Sequence, residues 1–201
     1  MKKKLLAVGI IAICLSLCVG STWAYFTAEG CAHNVIASGS IGIEIIEQTR
    51  IGDGTKLDKF PEDGMKNIMP GSCISKIVSV ANTGTGDAWI RVKVDAAIQS
   101  ADKTPLPLEL DIQGVKVPVM TFTVEDKWID GGDGYYYYTS PVAPGGHTEV
   151  FFKDVTFALE MGNAYQSSTA NLTILAQAVQ TANNPIPDGG DVTDIPGWPE
   201  T

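Results

Sequence analysis

The sequence is poor in the residues that most enzymes use for chemistry. Only two histidines occur in 201 residues, His33 and His147, and neither lies in an H-E-x-x-H arrangement. That zinc motif needs two imidazoles one helical turn apart, with the glutamate between them as base. His147 sits in a Pro-Gly-Gly turn and His33 lies towards the N-terminus, places where a solvated ring is the simpler reading. A G-x-S-x-G elbow and a Gly-rich phosphate loop are both missing. No catalytic residue, metal-ligand set or cofactor is therefore expected, and the chain does not read as an enzyme. Positive charge is also scarce: 14 Lys and Arg against 23 Asp and Glu give a net charge of −9. Such a surface repels nucleic acid and anionic lipid head groups, so no nucleic-acid partner is expected. Convincing amphipathic helices are absent too.

Long apolar runs are lacking except at the N-terminus. Lys2, Lys3 and Lys4 precede an uncharged apolar run from Leu5 to Gly20, followed by the small residues of Ser21-Thr22-Trp23-Ala24. This is the layout of a secretory signal peptide covering residues 1–24, with cleavage between Ala24 and Tyr25. A spanning helix needs about 20 apolar residues, which argues against a retained anchor. Lipoprotein processing at Cys14 or Cys18 fits poorly, because Ile13 and Leu17 stand where a small residue is wanted. Removing residues 1–24 takes three lysines and no acid, and leaves one ordinary domain's worth of chain. The expectation is a secreted or cell-surface protein that meets a membrane only through its signal peptide. Cys31 and Cys73 then remain. In an exported protein they could form one disulfide, or they could stay as two separate thiols.

What the rest of the chain has in quantity is alternation with a period of two. Ile41, Ile43 and Ile45 alternate with Ser40, Gly42 and Glu44, and Ile90, Val92 and Val94 with Arg91, Lys93 and Asp95. Phe122 and Val124 alternate with Thr121, Thr123 and Glu125. Phe151, Val155 and Phe157 share a face interrupted by Lys153, and Leu172, Ile174, Ala176 and Ala178 repeat the pattern. These are half-buried strands, because a one-residue slip would expose every apolar set. Turn clusters at Pro70-Gly71, Gly84-Thr85-Gly86, Asp130 to Gly134 and Pro144-Gly145-Gly146 separate seven to nine expected strands. The predicted fold is all-β, an antiparallel two-sheet jelly roll or β-sandwich over residues 39–182. Its expected core includes Val78, Val80, Ile90, Phe122, Phe157 and Ile174, with Trp89 and Trp128 at the margins. Asp130 and Asp133 read as turn residues and not as calcium ligands. Along Tyr135 to Tyr138 at most two rings can share a face. Residues 183–201, rich in Pro and Gly, read as an extended C-terminal tail.

Several segments carry a family resemblance. Gly20-Ser21-Thr22-Trp23-Ala24-Tyr25-Phe26 resembles the signal-peptide junction of the TasA and CalY (camelysin) family, whose precursors are cut by a SipW-type signal peptidase. Ile36-Ala37-Ser38-Gly39-Ser40-Ile41 is similar to that family's first domain strand. Pro70-Gly71 with Val78, Val80, Asn82, Thr83 and Gly84 resembles a second block, and Ala176-Gln177-Ala178-Val179-Gln180 a closing strand. The resemblance implies a jelly-roll subunit of extracellular matrix or biofilm fibres, with other copies of itself as partners and room for a fibre-nucleating accessory protein. It further implies that the freed N-terminal segment, residues 25–38, acts as a donor strand completing a neighbour's sheet. Tyr25, Phe26, Val35 and Ile36 would be its apolar anchors, and a Cys31–Cys73 bridge would then link neighbours. The alternative is a monomeric surface adhesin or carbohydrate-binding module using exposed rings such as Tyr136, Tyr138 and Trp198.

Overall fold

Two twelve-residue strands form the spine of the molecule in the computed structural model, which describes residues 27–31, 41–66 and 68–199. In chain order the strands are β1 (Thr27–Cys31), β2 (Ile43–Ile51), β3 (Lys56–Lys59), β4 (Met65–Lys66) and β5 (Cys73–Asn82). Next come β6 (Ala88–Gln99), β7 (Pro105–Leu106), β8 (Glu109–Ile112), β9 (Val115–Pro118) and β10 (Met120–Phe122). The last four are β11 (Trp128–Asp130), β12 (Tyr136–Tyr138), β13 (Phe152–Phe157) and β14 (Thr169–Gln180). The helical pieces described are two three-residue 3-10 turns, Asn163–Tyr165 and Val192–Asp194.

The spine is β6 paired with β14 from Ala88↔Gln180 to Gln99↔Thr169. Their inward faces complement each other in volume, with Ile90 opposite Ala178 and Val92 opposite Ala176. Around them a seven-stranded sheet runs β1-β14-β6-β12-β11, with β4 added to the start of β14 and β7 to the end of β6. A five-stranded sheet runs β10-β13-β5-β2-β3. Every pairing is antiparallel, and the two sheets pack as a sandwich, so the all-β fold expected from the alternation is the fold observed. Phe151, Phe152, Phe157, Ile43, Val78 and Val80 are buried between the sheets with Ile90, Val92 and Ile174. Each such side chain contributes about 1.5–3 kcal/mol by leaving water.

Several expectations need correcting in detail. Fourteen strands are described, several of only two or three residues, where seven to nine were expected. The Thr121 alternation stops at Phe122, because Glu125 N–H turns to the Phe151 carbonyl and Trp128 N–H to that of Glu125. Lys153 does not interrupt an inward face. A bulge sets Lys76 and Ile77 of β5 against this one residue of β13, and Lys153 points outward to Glu125 at 2.9 Å. Trp128 lies inside the core, with ring centroids 4.9 Å from Phe151 and 5.1 Å from Tyr138. Trp89 packs on the opposite, outer face of its sheet.

The free edges differ in character. All four residues of β3, Lys-Leu-Asp-Lys, are exposed, and β11 is three residues long. Charge and shortness both discourage pairing with another chain.

Candidate functional site: the β14 edge and the seam beside it

One side of β14 is covered along its whole length by β6. The other side is covered only in part. β1 occupies it from Thr27↔Val179 to Cys31↔Leu175, and β4 holds Thr169 and Ala170. Between them, Asn171 to Ile174 have no outer strand partner among the described residues. Unpaired edge backbone is a template for another strand.

Next to this gap the sandwich opens into a cleft of about 610 Å³. Asn171, Leu172 and Thr173 form one wall, Glu44 to Gln48 of β2 the other, and Leu57 to Glu62 with Met65 close the end. Gly64 makes this geometry possible. Its φ is +78°, and an added Cβ would lie 2.9 Å from the Ala170 carbonyl and collide with the Asn171 carboxamide. Only glycine brings the β4 turn this close to β14.

An ion pair lines the cleft. The Lys76 side chain is 3% exposed and its Nζ donates to Glu47 Oε1 at 2.6 Å. The same ammonium stands 4.0 Å from the centre of the Phe60 ring. Burial pushes Lys76 below the usual lysine range, with the Glu47 carboxylate opposing the shift. Nearer the rim, Lys59 donates to Glu62 at 2.6 Å, and that bond raises the lysine pKa. A charged pair here closes the apolar core where the sheets part. The sequence reading singles out neither Lys76 nor Glu47, although each falls in register with the inward face of its strand, Lys76 with Ile74, Val78 and Val80 and Glu47 with Ile43 and Ile45.

Of the residues singled out from sequence, many lie outside the described part of the chain. These are the signal segment 1–24 with the Ala24–Tyr25 junction, the anchors Tyr25, Phe26, Val35 and Ile36, and His33. The part of the candidate donor that is described, Thr27–Cys31, is a strand on β14. Cys73 is a free, exposed thiol accepting from Thr156 Oγ1 at 3.8 Å, so it is not bridged to Cys31 in this structure. The two positions also belong to different sheets. His147 is exposed, its Nδ1 3.0 Å from the Thr148 carbonyl. Asp130 and Asp133 accept backbone N–H groups from Gly132 and Tyr135, closing their turn. Among the described residues no group of three or more His, Cys, Asp or Glu could hold a metal ion, and no helix is long and apolar enough to cross a membrane.

The aromatic run divides as strand geometry requires. Tyr136 and Tyr138 pack into the core, while Tyr135 and Tyr137 face the outer side of the seven-stranded sheet. Those outer rings are covered, because the C-terminal segment folds back over them and is not a free tail. Val192 and Ile195 are buried on Trp89, Tyr135, Tyr137 and Val179, and Trp198 packs edge-on to Tyr137 at 5.5 Å. Arg91, 4% exposed, ties this layer together. It donates to Gln177 Oε1 at 2.8 Å, to Tyr137 Oη at 3.0 Å and to the Pro199 carbonyl at 2.8 Å. Its guanidinium lies 3.9 Å from the Tyr135 ring centre and 4.9 Å from that of Trp198. Tyr136, Tyr138 and Trp198 are therefore not exposed platforms for a sugar.

Comparison with known proteins adds little. No family model matches the chain, and no curated protein does. Among solved structures, the AfaE-3 adhesin from Escherichia coli aligns with 72% of this chain and 98% of its own, at 14% identity and a TM-score of 0.34. A likeness that distant carries nothing about function.

Proposed function

We propose that this protein is an exported, non-catalytic structural subunit whose N-terminal segment completes the seven-stranded sheet of a neighbouring copy along β14. The observation that carries this reading is the state of that edge. Five residues of the N-terminal segment already pair with it, and four residues beyond remain without an outer partner among those described. A strand added there gains backbone hydrogen bonds and sets alternate side chains against the seam. Processing between Ala24 and Tyr25 by a SipW-type signal peptidase belongs to the same proposal, because it frees the segment for exchange. Fibre subunits of the extracellular matrix or cell surface are the class of assembly this describes. The adhesin alternative loses the rings it relied on, since Tyr138 is 8% exposed and Trp198 is packed under Arg91.

Electron microscopy of purified residues 25–201 beside residues 36–201, the shorter chain checked for folding by near-UV circular dichroism, tests the proposal. Fibres from the longer chain alone support it. Fibres from both place the joint elsewhere, and folded monomers from both overturn the structural role.

A further inference from the structure

The C-terminal segment covers one end of β14 and leaves the other bare. Ala170, Leu172, Ile174, Ala176 and Ala178 face the core, so Asn171, Thr173, Leu175, Gln177 and Val179 face outward. Gln177 and Val179 are 2% and 1% exposed, whereas Leu175 is half-buried and Thr173 exposed. The cover therefore runs out near Leu175. β1 stops at the same level, since its pairs run from Thr27↔Val179 to Cys31↔Leu175. The stretch of β14 that holds an edge strand is the stretch with the segment on its back.

Two sets of contacts tie this stretch down. Across the sheet, Arg91 stands directly opposite Gln177 on one side and Tyr137 on the other. Its guanidinium donates to both side chains and to the Pro199 carbonyl, so one cation joins β12, β6, β14 and the segment. Along the chain, β14 runs straight into the segment. Thr181 N–H donates to the Asp87 carbonyl at 3.0 Å, Asn184 Nδ2 to the Gln180 carbonyl at 2.8 Å, and Trp89 Nε1 to the Asn184 carbonyl at 3.0 Å. These bonds fasten the end of β14 to β6. Farther on, residues 185–191 are exposed, and Val192, Ile195 and Trp198 hold the segment without strand pairing among the described residues. A cover attached by side chains at its far end opens more easily than the sheet beneath it.

We infer that the C-terminal segment is a brace that keeps Leu175 to Val179 of β14 fit to hold an added strand, so that its docking controls capture of the N-terminal segment. The inference rests on the strand-addition reading above and names its regulation. An edge takes a strand only while its N–H and C=O groups are held in line. Release of the segment strips Val179 and Trp89 of their apolar cover and unfastens the end of β14, which then frays from β6. The opposite end of β14, held by β4, lies outside the cover and keeps its pairing. The coupling is reciprocal, so a paired β1 also holds the segment down.

Hydrogen exchange read by mass spectrometry on residues 25–201 tests the brace. Ile195→Asp places a charge in the buried cluster and touches no residue of the sheet; Trp198→Ala is the milder variant and carries the same comparison where the first unfolds the domain. In either, amides of residues 27–31 and 176–180 should exchange about tenfold faster, a coupling of ordinary size between two sites, while Met65 and Lys66 keep the parent rate. Parent rates at 27–31 in a variant whose residues 192–198 have lost protection overturn the brace and leave strand addition standing. Protection of 192–198 that survives both variants contradicts the attachment on which the brace depends. Residues 27–31 unprotected in the parent remove the brace together with the pairing it rests on.

Discussion

Arg91→Ala is the most informative single change on the outer face, because one guanidinium holds both the sheet and the segment folded over it. Truncation removes donors to Gln177, Tyr137 and the Pro199 carbonyl, and takes the cation from between the Tyr135 and Trp198 rings. A hydrogen bond from a charged donor is worth about 1.5–3 kcal/mol, and a desolvated cation–π contact up to about 2. These terms are not additive. Tyr137 Oη keeps its 2.6 Å bond to Asp133, and the void admits water once Pro199 is released. A net loss of about 3–4 kcal/mol follows, which for a domain of this size lowers Tm by about 6–16 °C. Arg91→Lys keeps the charge without the planar fork, and should recover less than half of that. Thermal melts of residues 25–201 give the stability. Cleavage after Asp188, Asp191 and Asp194 by an acid-specific protease gives the position of the segment. Both must move together. A variant that melts early with its C-terminal segment still protected refutes the idea that Arg91 is what holds the segment down.

Two further outcomes test the seam. Because burial lowers the Lys76 pKa in the folded state, the unfolded chain holds that proton more tightly, so its contribution to stability rises with pH up to the ordinary lysine value of 10.5. Urea midpoints taken from neutral pH upward should therefore show a rise in the parent that is absent from the double variant Lys76→Met, Glu47→Gln; parallel slopes contradict the burial argument. Gly64→Ala, placed at φ +78° against Ala170 and Asn171, should cost about 2–3 kcal/mol by urea denaturation, and a neutral result means that β4 can move off β14 freely.

The spine was legible in the sequence because local alternation alone decides which face of a strand is buried. Ile90, Val92, Ile174 and Ala178 sit where a period of two puts them, and the tyrosine run splits two and two. The functional features are legible only through distant partners. Lys76 follows the same alternation as Ile74, Val78 and Val80, and what the local pattern does not show is its partner Glu47, 29 residues away in the chain. Nothing local to residues 183–201 announces that Val192, Ile195 and Trp198 have an aromatic surface to cover, since that surface is assembled from β6, β12 and β14. Likewise the stretch from Lys103 to Val117 has little alternation to read. It forms the β8–β9 hairpin through Gln113 and Gly114, both with positive φ, a turn whose first residue is not a usual signal.

The outer edges of the sandwich bear on what shape any assembly can take. Lateral growth needs a second receptive edge, and among the described residues the outer strands β3, β10 and β11 are a charged four-residue strand and two three-residue ones. A subunit with one acceptor and one donor has a valence of two and a head-to-tail polarity. Such units concatenate into single-file threads of indefinite length and do not spread into ribbons or three-dimensional precipitates.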